Sequence, residues 1–157
     1  MSFPERIYTL DEYRKAKVAI GKGHKHRLRI IGDVYFKDLV TRILDFVQVA
    51  EYEELLRTYI RQIRQIEGIS QLRETDASIW MNTVTAKDSV EGARFVVQKM
   101  FQMKAYMEGK IWYLLGESLA VKESLEFLRM LKERLKDPEL RIRCDRVLDA
   151  WTADTVT

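Results

Sequence analysis

Residues 33–66 read DVYFKDLVTRILDFVQVAEYEELLRTYIRQIRQI and carry two apolar stripes at helical spacing. The first stripe consists of Phe36, Val40, Ile43 and Val47, and the second of Tyr52, Leu56, Tyr59, Ile63 and Ile66. A straight helix through Ala50 would place the two stripes on different faces. The stretch therefore predicts two successive helices with a break near Ala50, the first capped by Asp33 and the second ended by Gly68.

Helix signals continue on both sides of this stretch. Upstream, Thr9 and Glu12 form a capping box that begins a helix, which Gly21 is expected to end. Downstream, Thr85 or Asp88 is the expected N-cap of a long helix that Gly116 is expected to end. The pattern on each side is therefore helical.

The C-terminal part of the chain predicts a helical hairpin, because Asp137 and Pro138 are an N-cap and a proline at the first helical position. Residues 69–84 carry a mixed signal, since their apolar spacing fits a helix while their threonines favour a strand. We favour the helix there. The predicted fold is all-α, a single-domain bundle of five or six helices with a short basic extended or irregular segment at residues 21–32.

Length and composition favour one domain over residues 1–157, with residues 1–8 and 153–157 as loose ends. The longest apolar runs, such as residues 111–115, are too short to span a membrane. Cys144 is the only cysteine, so the chain has no internal disulfide and no zinc-binding cysteine pair. These features predict a cytoplasmic protein without a membrane partner, and no motif indicates a cofactor or a metal.

The charge of the chain is unevenly distributed. It has 27 Lys and Arg against 24 Asp and Glu. Seven of the cations lie within residues 13–32, which contain no acid, so the rest of the chain is acidic on balance. Such a block is either a solvated loop or a surface that meets phosphate or another anion.

A second group of cations, Arg57, Arg61 and Arg64, recurs at helical spacing and predicts a cationic stripe on one helix face. The anion-binding residues predicted from both groups are Lys22, His24, Lys25, His26, Arg27, Arg29, Arg57, Arg61 and Arg64. Three tyrosines that flank the first group either stack on bases or pack in the core, namely Tyr8, Tyr13 and Tyr35.

His24 and His26 alternate on the predicted extended segment and admit two interpretations. Two imidazoles on one face are able to share a metal ion, but the surrounding cations would repel it. The interpretation we favour is a titratable charge, which would add two positive charges to the segment below about pH 6.5.

Three further residues are candidates for catalysis, namely Arg73, Glu74 and Asp76. If residues 69–79 are helical, Asp76 lies on an apolar stripe and needs a partner such as Arg73. The same arrangement describes a structural ion pair, which we favour. Cys144 has arginines nearby in sequence, which lower a thiol pKa, but its spacing is that of a core residue.

The leading functional hypothesis is a non-enzymatic helical binding module that contacts nucleic-acid phosphates, or another polyanion, through the basic loop. One alternative is an enzyme that acts on a small phosphorylated or carboxylated substrate, with the loop as an anion clamp. Another is a helical homo-oligomer or adaptor that associates through the apolar residues near Trp112. The sequence does not distinguish RNA from DNA or from a small anion.

Overall fold

A computed structural model describes the backbone of residues 2–110 and 113–156, and the side chains of residues 2–110 and 118–152. Its helices are α1 (Leu10–Gly21), α2 (Val34–Val49), α3 (Glu53–Tyr59), α4 (Thr83–Lys87), α5 (Ser89–Met107), α6 (Tyr113–Arg134) and α7 (Pro138–Val156). Its strands are β1 (Arg29–Ile31), β2 (Gln62–Gln65), β3 (Gln71–Arg73) and β4 (Ser78–Met81). The chain is thus an α/β fold, and the prediction of an all-α bundle was wrong.

The four strands form one mixed sheet in the order β1-β2-β4-β3. Strands β1, β2 and β4 are parallel, and β3 is antiparallel to β4. The register places one apolar row across the sheet, consisting of Ile30, Ile63, Ile79 and Leu72. Helices α2 and α5 pack against the sheet, so this row faces the core, where Ile63 and Ile79 are fully buried.

The predicted starts of the first two helices, the first apolar stripe and the break near Ala50 were correct. The capping box of Thr9 and Glu12 is present, and Asp33 caps α2 through the backbone N–H of Phe36. All four members of the first apolar stripe are fully buried. The chain breaks between α2 and α3 as predicted, with Glu51 at a φ of 65°.

Of the two predicted helix ends, the one at Gly21 was correct and the one at Gly116 was wrong. The left-handed glycine after α1 is Gly23, at a φ of 86°, and not Gly21. After α5 it is Gly109, at a φ of 73°, while Gly116 lies inside α6. A glycine within a helical pattern does not by itself mark its end, because packing decides which residue leaves the helix.

The second apolar stripe was assigned to a single helix in error. Helix α3 ends at Tyr59, and Ile63 lies on strand β2. Its side chain is opposite Ile30 and Ile79 of the neighbouring strands. The apolar residues of α3 and β2 follow one another at intervals of three or four residues, which matches a helix only by coincidence. The pairing of β2 with β1 and β4 outweighs the local helix propensity of this stretch.

Residues 69–84 form a hairpin and not the helix that we favoured. Strands β3 and β4 are joined by a single helical turn, Glu74–Asp76, and by Ala77 at a φ of 51°. Alanine rarely adopts this left-handed conformation, so the turn carries none of the glycine or asparagine signals of a hairpin.

The N-terminal end of the chain, expected to be loose, is packed in part. Phe3 and Ile7 are buried, and the backbone N–H of Ile7 donates to the carbonyl of Thr75 at 2.8 Å. The N-terminal segment, residues 2–8, is therefore packed against the domain. Trp112, near which we expected an oligomer contact, lies outside the described residues.

Candidate functional site

The basic segment, residues 22–29, follows the predicted alternation of exposed and covered side chains. Lys25, Arg27 and Arg29 are exposed, whereas His26 is buried and Leu28 is half-buried. The backbone N–H of His26 donates to the carbonyl of Arg57 at 2.8 Å, which ties the segment to α3. The three cations are therefore solvent-exposed, as the alternation predicted, although Leu28 at a φ of 55° interrupts the extended backbone.

Two of the arginines predicted to form a helical stripe instead hold neighbouring backbone in place. The Nε of Arg57 donates to the carbonyl of His26 at 2.7 Å. Arg61 donates to the carbonyls of Glu5 and Pro4 in the N-terminal segment. Burial lowers the pKa of the Arg61 guanidinium. Arg64 lies on β2, so the three arginines do not share a helix face and the predicted stripe was wrong.

The two histidines are packed under the N-terminal segment. His24 Nε2 and His26 Nδ1 are 3.3 Å apart, at hydrogen-bonding distance. The ring of Phe3 stacks on His24 and meets His26 edge-on, with centroids 5.7 and 4.5 Å away. His26 is only 6% exposed, and its Nε2 atom has no hydrogen-bond partner. Burial, with smaller contributions from His24, Arg61 and Arg57, lowers the pKa of His26 to about 3.

The predicted titration of His26 near pH 6.5 was therefore wrong, and a different pH effect follows. In the unfolded chain His26 takes up a proton below its ordinary pKa of about 6.5, whereas the folded protein resists protonation down to about pH 3. Stability is therefore complete above pH 6.5 and falls as the pH drops towards 3. The contribution of His26 to the free energy of unfolding is expected to fall by about 2 kcal/mol between pH 7 and pH 5.

Urea unfolding at pH 7 and pH 5 of the wild type and of His26→Leu measures this contribution. The variant is expected to lose less stability on acidification than the wild type, because the two proteins differ only in the side chain at position 26. Equal losses in the two proteins would contradict the assignment.

The open sheet face is the side of the sheet away from α2 and α5. It carries a group of side chains that the sequence did not predict to lie close together. Adjacent positions on a strand point to opposite faces, so the rows beside the apolar row point outward. One outward row is Arg29, Gln62, Ser78 and Arg73, and the other is Ile31, Arg64, Trp80 and Gln71. The three arginines, Arg29, Arg64 and Arg73, are exposed, the small side chain of Ser78 is fully buried, and the other members of the two rows are half-buried.

The three arginines of the open sheet face make no ion pair with any acid among the described side chains. The guanidinium carbon of Arg73 lies 4.2 Å from the centroid of the Trp80 ring, a cation–π contact. Arg29 is also the last residue of the basic segment and the first residue of β1. The face and the segment together form one cationic surface with an aromatic ring within it.

The candidate catalytic residues lie at the edge of this surface. Arg73 and Glu74 are exposed and Asp76 is half-buried. Asp76 belongs to the turn between β3 and β4. The apolar helical stripe that was expected to bury its carboxylate is therefore absent. A small pocket of about 110 Å³ lies elsewhere, against α2, and none of the three residues lines it.

The carboxyl ends of the parallel strands, where ligands of open α/β sheets usually bind, are filled by side chains. The side-chain oxygen of Gln65 accepts from the backbone N–H of Asp33 at 2.9 Å. Its amide nitrogen donates to Asp33 and to Thr83 at 3.2 and 3.1 Å. A side chain at Gly32 would come within 2.7 Å of Phe36. The protein's own side chains, hydrogen-bonded to one another and closely packed, therefore fill this edge of the sheet.

Among the remaining candidates, Cys144 and Tyr13 have the structural roles that the sequence allowed, whereas Tyr8 and Tyr35 are exposed and do not pack in the core. Cys144 is buried, and burial raises the pKa of its thiol, so its reactivity is low. The hydroxyl of Tyr13 donates to the carbonyls of Tyr106 and Met107. No group of three His, Cys, Asp or Glu side chains suited to a metal ion occurs in the described part of the chain. No helix within the described residues is long and apolar enough to cross a membrane.

Comparison of the chain with protein-family models, curated proteins and solved structures found no match.

Proposed function

We propose that this protein is a non-enzymatic α/β binding domain that contacts the phosphates of nucleic acid. The observation that carries the proposal is the convergence of Arg29, Arg64 and Arg73 on the open sheet face, where none has an acidic partner among the described residues. Arginine suits this task because its planar guanidinium donates several hydrogen bonds to phosphate oxygens. A cytoplasmic location, as the sequence predicts, would give the domain access to RNA.

The extent of the surface supports a polymer as the ligand. Adjacent strands are about 4.8 Å apart, so Arg29 and Arg73 on the two outer strands are about 14 Å apart. Lys22, Lys25 and Arg27 extend the charge beyond the sheet, although Lys25 also donates to the hydroxyl of Thr58 at 2.7 Å. A row of cations over this distance matches the repeated charges of a nucleic-acid backbone better than a single small anion.

The salt dependence of binding tests the proposal. Fluorescence anisotropy is measured with labelled RNA and DNA, single-stranded and duplex, between 50 and 200 mM salt. If about six cations contact phosphates, the slope of log affinity against log salt is expected to be about −4 to −5. Removing Arg29, Arg64 and Arg73 together as alanines is expected to make the slope shallower by about 2 to 3.

The matched control replaces three exposed cations on the helices, Arg42, Lys122 and Arg141, by alanine and so removes the same charge. It is expected to bind within about threefold of the wild type, because these residues lie on α2, α6 and α7. Equal losses in both triple variants would show only a general charge effect. No binding at 50 mM salt to any of the four probes would overturn the proposal.

A further inference from the structure

We infer that the nucleic acid is single-stranded and lies across the open sheet face, with one base stacked on the side chains of Arg73 and Trp80. This inference rests on the proposed function, since it names the ligand class of the same surface. It follows from the position of one aromatic residue, the shape of the face and the amides beside it.

Trp80 lies in the middle of the cationic surface. It is on β4, one of the two inner strands, between Arg64 on one side and Gln71 on the other. Its ring is only partly buried, and the guanidinium of Arg73 lies over it. Bases of single strands stack both on aromatic rings and on arginine guanidinium planes. Arg73 and Trp80 therefore offer a stacking surface between groups that bind phosphate.

The shape of the face argues against a duplex. A helix or a two-stranded ribbon enters the major groove of DNA, which is about 12 Å wide. The face of a four-stranded sheet is about 14 Å across between its outer strands before side chains are added. It therefore has access only to the phosphates of a duplex, and Trp80 would have no base to contact. An unpaired strand is able to lie flat on the face and turn its bases towards it.

The polar side chains beside Trp80 fit the same ligand. Gln62 and Gln71 point outward in the two rows and are partly exposed. Each amide has both donors and acceptors, so it is able to meet the hydrogen-bonding edge of any base. Contacts of this kind would favour single strands over a polyanion that lacks bases.

The experiment compares binding of labelled oligothymidine, oligouridine, a duplex of equal length and polyphosphate by anisotropy at one salt concentration. The wild type is expected to bind the single strands at least tenfold more tightly than the duplex or polyphosphate. Trp80→Leu is expected to weaken single-strand binding by about tenfold or more, since one stacked base contributes about 1 to 3 kcal/mol. Its affinity for the duplex and polyphosphate is expected to stay within about twofold of the wild type.

Two further variants keep the test independent of folding. Trp80→Phe retains a ring and is expected to bind single strands within about threefold of the wild type. Ile142→Ala removes an exposed apolar side chain from α7, outside the sheet, and is expected to have no effect. If Trp80→Leu fails to fold, the fluorescence of the wild type and of Trp80→Phe is compared, and oligothymidine is expected to quench only the wild type strongly.

The outcomes separate this inference from the proposed function. Equal affinity for single strands and duplex, unchanged in Trp80→Leu but lost in the triple arginine variant, would overturn the single-strand inference and leave phosphate binding in place. Preferential binding of polyphosphate would overturn the inference in the same way. Absence of binding to every probe would overturn both.

Discussion

Replacing Arg94 by methionine is expected to lower the free energy of unfolding by about 2 to 4 kcal/mol, because it removes the buried partner of Gln98 and Ser124 as well as the ion pair with Glu91, whose side chain is 33% exposed. Arg94 is 2% exposed and donates to Glu91 through Nε and Nη2, the shortest contact being 2.7 Å. Its Nη1 donates to Gln98 at 2.6 Å and to Ser124 at 3.2 Å. The indole ring of Trp151 lies 3.9 Å from its guanidinium carbon.

The effect is large because Arg94 joins three helices. It is on α5, Ser124 is on α6 and Trp151 is on α7. Trp151 also donates to Glu91 through its indole N–H, at 3.3 Å. Methionine would fill much of the space, but the buried Gln98 would lose this donor, while Glu91 would keep only Trp151 and Ser124 only the carbonyl of Val121 among these contacts.

The chain contains a matched control for this substitution. Arg129 and Glu126 form an ion pair of the same spacing on α6, but their side chains are 48% and 55% exposed. Arg129→Met is expected to change the free energy of unfolding by about 1 kcal/mol or less, because exposed ion pairs contribute little. Urea unfolding of both variants at pH 7 gives the comparison. A loss below about 1 kcal/mol for Arg94→Met would contradict the assigned role.

Replacing Phe36 by alanine is expected to cost about 3 to 5 kcal/mol, the range for removing a buried phenyl side chain. Phe36 is fully buried in the first turn of α2. Its ring lies so close to Gly32 that a Cβ atom at that residue would be only 2.7 Å from it. The ring therefore holds α2 against the end of β1. The variant is expected to leave a cavity that this close packing cannot fill by relaxation.

Val34 is the control for Phe36, since it lies in the same turn of α2 and is 76% exposed. Val34→Ala is expected to change stability by no more than about 0.5 kcal/mol. Thermal or urea unfolding of the two variants measures the difference. Similar losses for both would show that the first turn of α2 contributes through its backbone and not through burial of the ring.

The local helix signals of the sequence were reliable where the interaction is contained within one element. Thr9 with Glu12, Asp33 and the Asp137–Pro138 boundary each depend on groups a few residues apart, so the sequence contains all that is needed. The strands were missed because each is only three or four residues long and gains its stability from partners elsewhere in the chain.

The candidate site also has one part that the sequence predicted and one part that it did not. Exposure of Lys25, Arg27 and Arg29 in the basic segment was predictable from alternation. The contribution of Arg73 and Trp80 was not, because they come from residues that we assigned to a helix. The hairpin turn at Ala77 was not predictable from the sequence, because alanine, unlike glycine, rarely adopts the left-handed conformation.

The amino-acid sequence by itself determined the capped helices, the buried face of α2 and the concentration of positive charge in residues 13–32, because these depend on neighbours along the chain. Only the tertiary structure decided which cations face solvent together. Strand pairing placed Arg29, Arg64 and Arg73 on one open face, while packing enclosed His26 and directed Arg57 and Arg61 to backbone carbonyls. The physical reason is that register between distant strands assigns every side chain to one face of the sheet or the other.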